Sequence, residues 1–552
     1  MRQITYQHTE DSDGSIDLAF NKKRADDRKI WLSTYDKYNV LDYTEKSISY
    51  ETFINKDLIH FSNRNLERSI PHICDGLKES TRKILYACLK RNLYHNEIKV
   101  AQLAGNVSEV TAYHHGENSL QEAIIGMAQI FVGTNNINIL EPKGQMGSRI
   151  SGGQDASSPR YIYTLLSKLT KLIFKEEDNS ILNYLDEDGL SIEPEYYMPI
   201  IPMILVNGGI GIGTGYSTNI PQFNPETIIN IYLEIINKID NDVGKILTNE
   251  DIENSITIIN DIEVKELVPY YLGFKGEIDK NDKGGYYSKG IYNWVNNTTV
   301  EITELPVGTW TENYKEFLEE MILNVNNKHL KSFENHYTAK NVKFILKLND
   351  GSKEDLEEKI LTEFNLTSSK NLSLNNMHLF SEKGCIKKYN NTTDIIKEWA
   401  IIRINKYYER KDKQLSILTD DFNILSAKIK FIIDIINGNI IIMNIKIKDI
   451  EDQLEKAEYY KCNDNYDYLL KMPISQLTLE KKENLEKEVE KLEIKIKELK
   501  EMSIIKIWEN ELQELLIEWN KHKEMIEEDY MNDLKGDVVK TKSTKKVAQK
   551  KK

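Results

Sequence analysis

GQMGSRISGGQDASSPRYIY, residues 144–163, places four glycines, two arginines and two tyrosines in one short stretch. Gly144, Gly147, Gly152 and Gly153 permit close backbone turns that residues with a side chain resist. Arg149 and Arg160 can face phosphate. Tyr161 follows Arg160 directly, with Tyr163 two positions on. A tyrosine beside an arginine is most often packing and surface charge. The same pair is also what phosphoryl transfer to a phenol uses. The tyrosine supplies the oxygen nucleophile, and the guanidinium holds the phosphate and offsets charge developing on its oxygens.

Upstream lies Ala112-Tyr113-His114-His115-Gly116-Glu117. Paired histidines beside a carboxylate suggest a metal site, yet adjacent side chains on a helix diverge and no third ligand is suitably spaced. A histidine bonded to a phosphate oxygen fits the neighbouring arginine and tyrosine better. Downstream, NGGIGIGTG (residues 207–215) offers the spacing of a dinucleotide fingerprint. No P-loop lysine follows, and residues 216–221 read as irregular chain rather than a helix start, which excludes nucleotide binding. Ile212 in that loop is either a wedge between bases or a buried residue in a tight turn. Asp186-Glu187-Asp188-Gly189 imitates metal-binding aspartates. It lacks a preceding apolar strand and reads as a surface turn.

The chain has 552 residues and a formal net charge of −14, a balance that alone argues against nucleic acid. The charge is uneven, however: residues 61–170 carry 12 Lys and Arg against 9 Asp and Glu. Residues 535–552 hold eight lysines and one aspartate and read as a disordered tail. The four cysteines are far apart, excluding a disulfide framework and a zinc site. No signal peptide or membrane span is legible, so an intracellular soluble protein without a membrane partner is expected. The apolar stretch Phe431 to Ile447 reads as a buried helix pair.

Five regions follow. Residues 1–45 are a polar lead with a helical segment from Leu18 to Leu32; residues 46–230 are mixed, with a helix expected over Ser80 to Leu89. Residues 231–392 contain short strands such as Thr299 to Thr303 and Val342 to Leu346. Residues 393–532 are helical: Leu485, Val489, Leu492, Ile496 and Leu499 step as a heptad seam, and Ile396 to Leu418 is apolar at helical spacing. An antiparallel arm or an ordinary bundle would both show this. Residues 533–552 are the lysine-rich tail.

Taken in order, these motifs resemble eukaryotic-type DNA topoisomerase II, from about Leu18 to about Glu527. LAFNKKRADDRKIWL, FINKDLIHFSNRNLERSIPHICDGLKESTRKILY, KVAQLAGNVSEVTAYHHGENSL, EPEYYMPIIPMILVNGGIGIGTGYSTNIP, VEITELPVGTWT, GCIKKY and YLLKMPISQLTLEKKENLEKE follow in the family's order. The resemblance implies an α+β multidomain chain: a winged-helix DNA-binding domain, a tower domain, and a long antiparallel coiled-coil arm with a helical C-gate. It implies that Tyr161 attacks the DNA backbone and keeps the 5′ phosphate, that Arg160 stabilises the phosphate, and that His115 contacts it. Arg68, Lys78, Arg82 and Lys83 would bind DNA, and Ile212 would insert between bases. The activity implied is an ATP-dependent type IIA topoisomerase, with an inactive DNA-binding or scaffolding relative as the alternative. Double-stranded DNA would be the substrate and the C-gate would pair two copies. An ATPase/Toprim subunit, giving a heterotetramer, would hold Mg²⁺ and ATP; no metal ligand is expected on this chain. Nothing in it matches the ATPase, the transducer or the Toprim glutamate and aspartates, as in a split enzyme or a fragment.

Six positions at four places depart from the family pattern. Glu79-Ser80-Thr81 replaces Pro-Gly-Gln and puts an acid near DNA, Gln154 replaces lysine, Ile210 an acid, and Tyr216 a tryptophan.

Overall fold

The computed structural model describes residues 4–243, 248–281, 285–462, 464–473 and 479–549. The expected α+β composition is present, and the helices of the first half surround one large apolar core. The lead is not one helix from Leu18 to Leu32. Asn21 breaks it, accepting from the Lys23 amide through its side chain, so Ser12–Phe20 and Ala25–Ser33 are separate helices. Asparagine favours this because its side chain competes with the helical backbone for hydrogen bonds.

The helices Glu79–Lys90, Val100–Val110 and Glu117–Ala128 bury Ile84, Leu85, Leu103, Val107, Leu120 and Ile124 together. The short strands Ile98–Lys99 and Tyr163–Thr164 pair antiparallel beside them. Beyond lies a four-stranded antiparallel sheet, in the order Ile291–Asn296, Thr299–Glu304, Phe344–Leu348, Leu330–Asn335. Val300, Ile302, Phe344 and Leu346 from its alternating positions meet Tyr314 and Leu318 of the helix Thr311–Leu323 in a separate core.

Thr392–Ile436 is a single 45-residue helix, about 68 Å long at the standard rise. It packs against Leu479–Glu501 and Ile504–Gln549. The heptad positions Val489, Leu492, Ile496 and Leu499 are half-buried and Leu485 buried, while most intervening residues are exposed. Phe431 to Ile447 is not a helix pair. The long helix stops at Ile436, Gly438 takes a positive φ of 77°, and the next helix begins only at Ile447. Glycine supplies that left-handed stop without strain. The last helix is Ile504–Gln549, so the lysine-rich stretch from Lys535 lies along its end, and residues 550–552 lie outside the described residues. Residues 474–478, inside the YLLKMPISQLTLEKKENLEKE motif, lie outside the described residues. No described helix is long and apolar enough to cross a membrane.

The long helix Thr392–Ile436 is tied to the core by buried charges. Arg403, 0% exposed, donates to Asp178 at 3.0 Å and to the Met198 carbonyl at 3.1 Å. Arg410 meets Glu511 at 2.7 Å. Removing one partner of a buried pair strands the other charge, so Arg403→Leu is expected to cost about 3–5 kcal/mol. An unchanged denaturation midpoint would show that the network carries no stability.

Candidate functional site

The tyrosine loop is held by backbone contacts at several points. Its carbonyls at Ile162 and Pro159 accept from Val100 and Ala101 at 3.0 and 3.1 Å, which satisfies the first amides of the Val100–Val110 helix. Lys143 and Tyr163 exchange backbone hydrogen bonds at 2.8 and 3.1 Å. Within the loop, Asp155 accepts from the Ser148 amide at 2.8 Å and from the hydroxyls of Ser148 and Ser151 at 2.6 and 2.9 Å. Burial pushes its carboxyl up, but these hydrogen bonds outweigh burial and hold it below the usual carboxylate range. Gly147 is required by close approach: a Cβ there would lie 2.5 Å from the Gly153 Cα. From this braced loop Tyr161 projects, 73% exposed, with the Arg160 guanidinium 6.0 Å from its ring centre. Tyr163 is strand-bound, half-buried and under Lys99.

The other expected residues divide in two. Arg68 and His115 are exposed, and Lys78 is half-buried. Burial and the nearby charge of Arg68 lower the His115 pKa, favouring a neutral imidazole; burial likewise lowers Lys78. Arg68 is exposed and has no ion pair or hydrogen bond among the described residues, leaving its guanidinium available. His114 turns away to Glu187 at 2.9 Å, and His115 stands edge-on to Tyr113.

Arg82 and Lys83 are a correction, because neither faces a surface. Arg82 is forked onto Asp75 at 2.7 and 3.1 Å. Lys83, 3% exposed, meets Glu193 at 2.8 Å and the Thr111 carbonyl at 2.8 Å. Both are consumed in fixing the turn that carries Lys78 and the helix end that precedes His115. Arg149 is a second correction to phosphate-facing charge: it is 3% exposed and paired with Glu304 at 2.6 Å. Arg64 was missed. It is exposed beside Arg68, and its partners are Glu67 at 3.1 Å and the family-departing Glu79 at 2.6 Å. Glu79 is therefore turned inward onto an arginine.

The glycine-rich stretch folds as a hairpin, not as irregular chain. Gly209–Ile212 pairs with Ser217–Ile220. Gly211 must lack a side chain because a Cβ would meet the Ser69 carbonyl oxygen at 2.2 Å. The hairpin is thus pressed onto the helix Ile59–Ser69 that carries Arg68. Ile212 is 80% exposed at its tip, which excludes the buried-isoleucine alternative; Ile210, two residues away on the same face, is half-exposed. Tyr216 stands edge-on to His378 at 5.6 Å. Asp186 to Gly189 is the turn of a two-stranded hairpin, with Asp188 and Gly189 at positive φ and the Asp186 carboxylate accepting from the Gly189 amide at 3.0 Å. Among the described residues no group of three His, Cys, Asp or Glu could hold a metal.

The family model for the A subunits of DNA gyrase and topoisomerase IV matches residues 68–513, spanning the tyrosine loop, the histidine pair and the hairpin. The chain belongs to this family. The model for the C-terminal associated domain of TOPRIM matches residues 1–66. Among curated relatives, DNA topoisomerase 2 of Plasmodium falciparum is 40% identical over 572 residues, covering 97% of this chain and 39% of that protein. The DNA topoisomerase 2 of Arabidopsis thaliana is 38% identical (92% and 36%), and that of Acanthamoeba polyphaga mimivirus 37% identical (98% and 46%). The chain thus spans less than half the length of these relatives. The solved DNA-binding, cleavage and re-ligation domain of P. falciparum topoisomerase II superposes with a TM-score of 0.81. It is 40% identical, covering 95% of this chain and 72% of that one. The family reading taken from the motifs is confirmed.

Proposed function

We propose that this chain performs the DNA cleavage and rejoining of a type IIA topoisomerase. The observation that carries the reading is Tyr161, exposed and beside Arg160, on a loop braced at both ends. The Tyr161 oxygen attacks a backbone phosphorus, the bond from phosphorus to the 3′ oxygen breaks, and the 3′ hydroxyl leaves. The 5′ phosphate stays on the tyrosine, so one phosphoester replaces another and reversal rejoins the strand without ATP. Arg160 holds a non-bridging oxygen, while Arg68, Lys78 and His115 hold the backbone.

Residues 46–230 serve as the winged-helix domain, 231–392 as the tower and 393–532 as arm and C-gate. Two copies pair at the arm end, where Ile436, Ile441, Met443 and Ile447 are exposed; two tyrosines then cut two strands. Mg²⁺ would supply charge neutralisation at the phosphate. The described residues do not fit it, and its carboxylate ligands belong to a Toprim-bearing partner that also brings the ATPase. The lead supports such a partner, exposing Phe20, Ile30, Tyr38, Val40 and Tyr43. A heterotetramer follows if that partner is a separate chain.

Mixing the chain with such a partner, Mg²⁺ and end-labelled duplex should leave label on this chain after denaturation. Binding without adduct would favour the inactive scaffold instead. Ile212 acts as the wedge, and unstacking a base step costs a few kcal/mol. Ile212→Ala is therefore expected to reduce bending, read by fluorescence transfer between duplex ends, more than it reduces affinity. Unchanged bending would remove the wedge from the mechanism.

A further inference from the structure

The tyrosine loop meets the sheet domain at a joint that the chemistry proposed above does not use. Arg149 and Glu304 form a pair whose side chains are 4% and 1% exposed, at 2.6 Å. Glu304 also accepts from the Leu305 amide at 2.9 Å and the Lys275 amide at 3.3 Å, so its carboxylate is fixed before it meets the arginine. The adjoining helix Thr311–Leu323 turns its first two amides outward onto the loop. Thr311 donates to the Arg149 carbonyl at 3.2 Å and Glu312 to the Ile150 carbonyl at 2.9 Å. Between them Trp310 presses on the loop backbone: a Cβ on Gly152 would lie 2.3 Å from the indole Nε1 and Cε2. Phe131 closes the other side of the indole, edge-on at 6.0 Å.

We propose that Glu304, Trp310 and the first turn of Thr311–Leu323 are positioning residues for Tyr161, so that the sheet domain sets where the nucleophile stands. Three kinds of contact converge on four consecutive loop residues, Arg149 to Gly152. An ion pair fixes the side chain, two amides fix the backbone, and the ring occupies the space a side chain would fill. Gly153 folds back onto Gly147, and Asp155 onto Ser148 and Ser151, so a shift at Arg149 is passed along a loop with little slack. Bending of DNA that moves the sheet domain would reach Tyr161 by this route. The proposal rests on Tyr161 being the nucleophile.

Two variants of the full chain test it. Glu304→Gln keeps the carbonyl acceptor but discharges the pair. Thr311→Pro removes one linking amide together with the Thr311 hydroxyl, which donates to the same Arg149 carbonyl at 3.5 Å: the first helical position accepts proline, and Trp310 is already extended at φ −80° and ψ 145°. It therefore serves if the first variant fails to fold. Glu301→Gln, on the same strand and paired with Lys343, is the control. In both test variants amide exchange across residues 144–163 should accelerate by about tenfold, with exchange in Leu479–Glu501 unchanged. With a Toprim-bearing partner at saturating DNA, adduct formation should slow by about tenfold to a hundredfold at unchanged Kd. Glu304→Asp should restore part of that rate. Unaltered exchange across 144–163 in both variants, or a rate loss recovered by adding DNA, overturns the proposal. Absence of adduct from the unaltered chain would instead sink the nucleophile reading, and the exchange data would still decide the joint.

Discussion

Tyr161→Phe is expected to abolish covalent DNA adducts, by a factor on the order of a million, as loss of a catalytic nucleophile does, while sparing DNA affinity. The substitution removes one oxygen from a ring that is largely in solvent, so no packing is lost. On the proposed reading affinity would reside in Arg68, Lys78 and Arg160, whose charges the change leaves in place. Tyr163→Phe is the matched comparison. Its backbone is bonded on both sides to Lys143 and its ring lies under Lys99, so the loop should keep its shape and adducts should persist. If the Tyr163 variant alone loses adducts, the nucleophile has been assigned to the wrong tyrosine.

The second large effect is the inactivity of the chain by itself. Mg²⁺ requires a preformed set of oxygen ligands, commonly one or two carboxylates with water and phosphate. Among the described residues no group of three or more His, Cys, Asp or Glu could hold a metal, and Asp186 is spent on a turn amide. Purified chain with Mg²⁺ should therefore bind duplex DNA, and bind it less tightly as salt rises, yet leave supercoiled plasmid uncut. Adding a Toprim-bearing partner should restore metal-dependent nicking and double-strand cleavage, with ATP needed only for strand passage. Robust cleavage by the chain alone would mean that ligands exist on it, with Asp186 and Asp188 the first to replace.

Tyr161 and Arg160 stand out as a candidate pair because they are neighbours in sequence, but residue type alone left packing and surface charge as the commoner reading, and the roles proposed for them come from the resemblance of the surrounding motifs. The helical seam was legible for a local reason: a heptad pattern needs no distant partner, and Leu485, Val489, Leu492, Ile496 and Leu499 are buried or half-buried where the pattern put them. Charge was not legible in the same way. Arg82, Lys83 and Arg149 look like DNA ligands until Asp75, Glu193 and Glu304 are seen beside them, and the last two lie more than a hundred positions away. Long-range pairs leave no periodicity to read. Trp310 against Gly152 was hidden for that reason, although the VEITELPVGTWT motif had already marked the segment. Ile212 needed the hairpin, since sequence alone allowed a wedge or a buried turn and only its exposure separates them.

The most direct test of the account is to find which atom holds the DNA. Cleavage complexes formed with a Toprim-bearing partner can be trapped by denaturation, digested with nuclease and protease, and read by mass spectrometry. A nucleotide 5′ phosphate esterified to Tyr161 is expected, on the peptide that also carries Ile162 and Tyr163. A phosphoester on any other residue of this chain, or adducts confined to the partner, would contradict it.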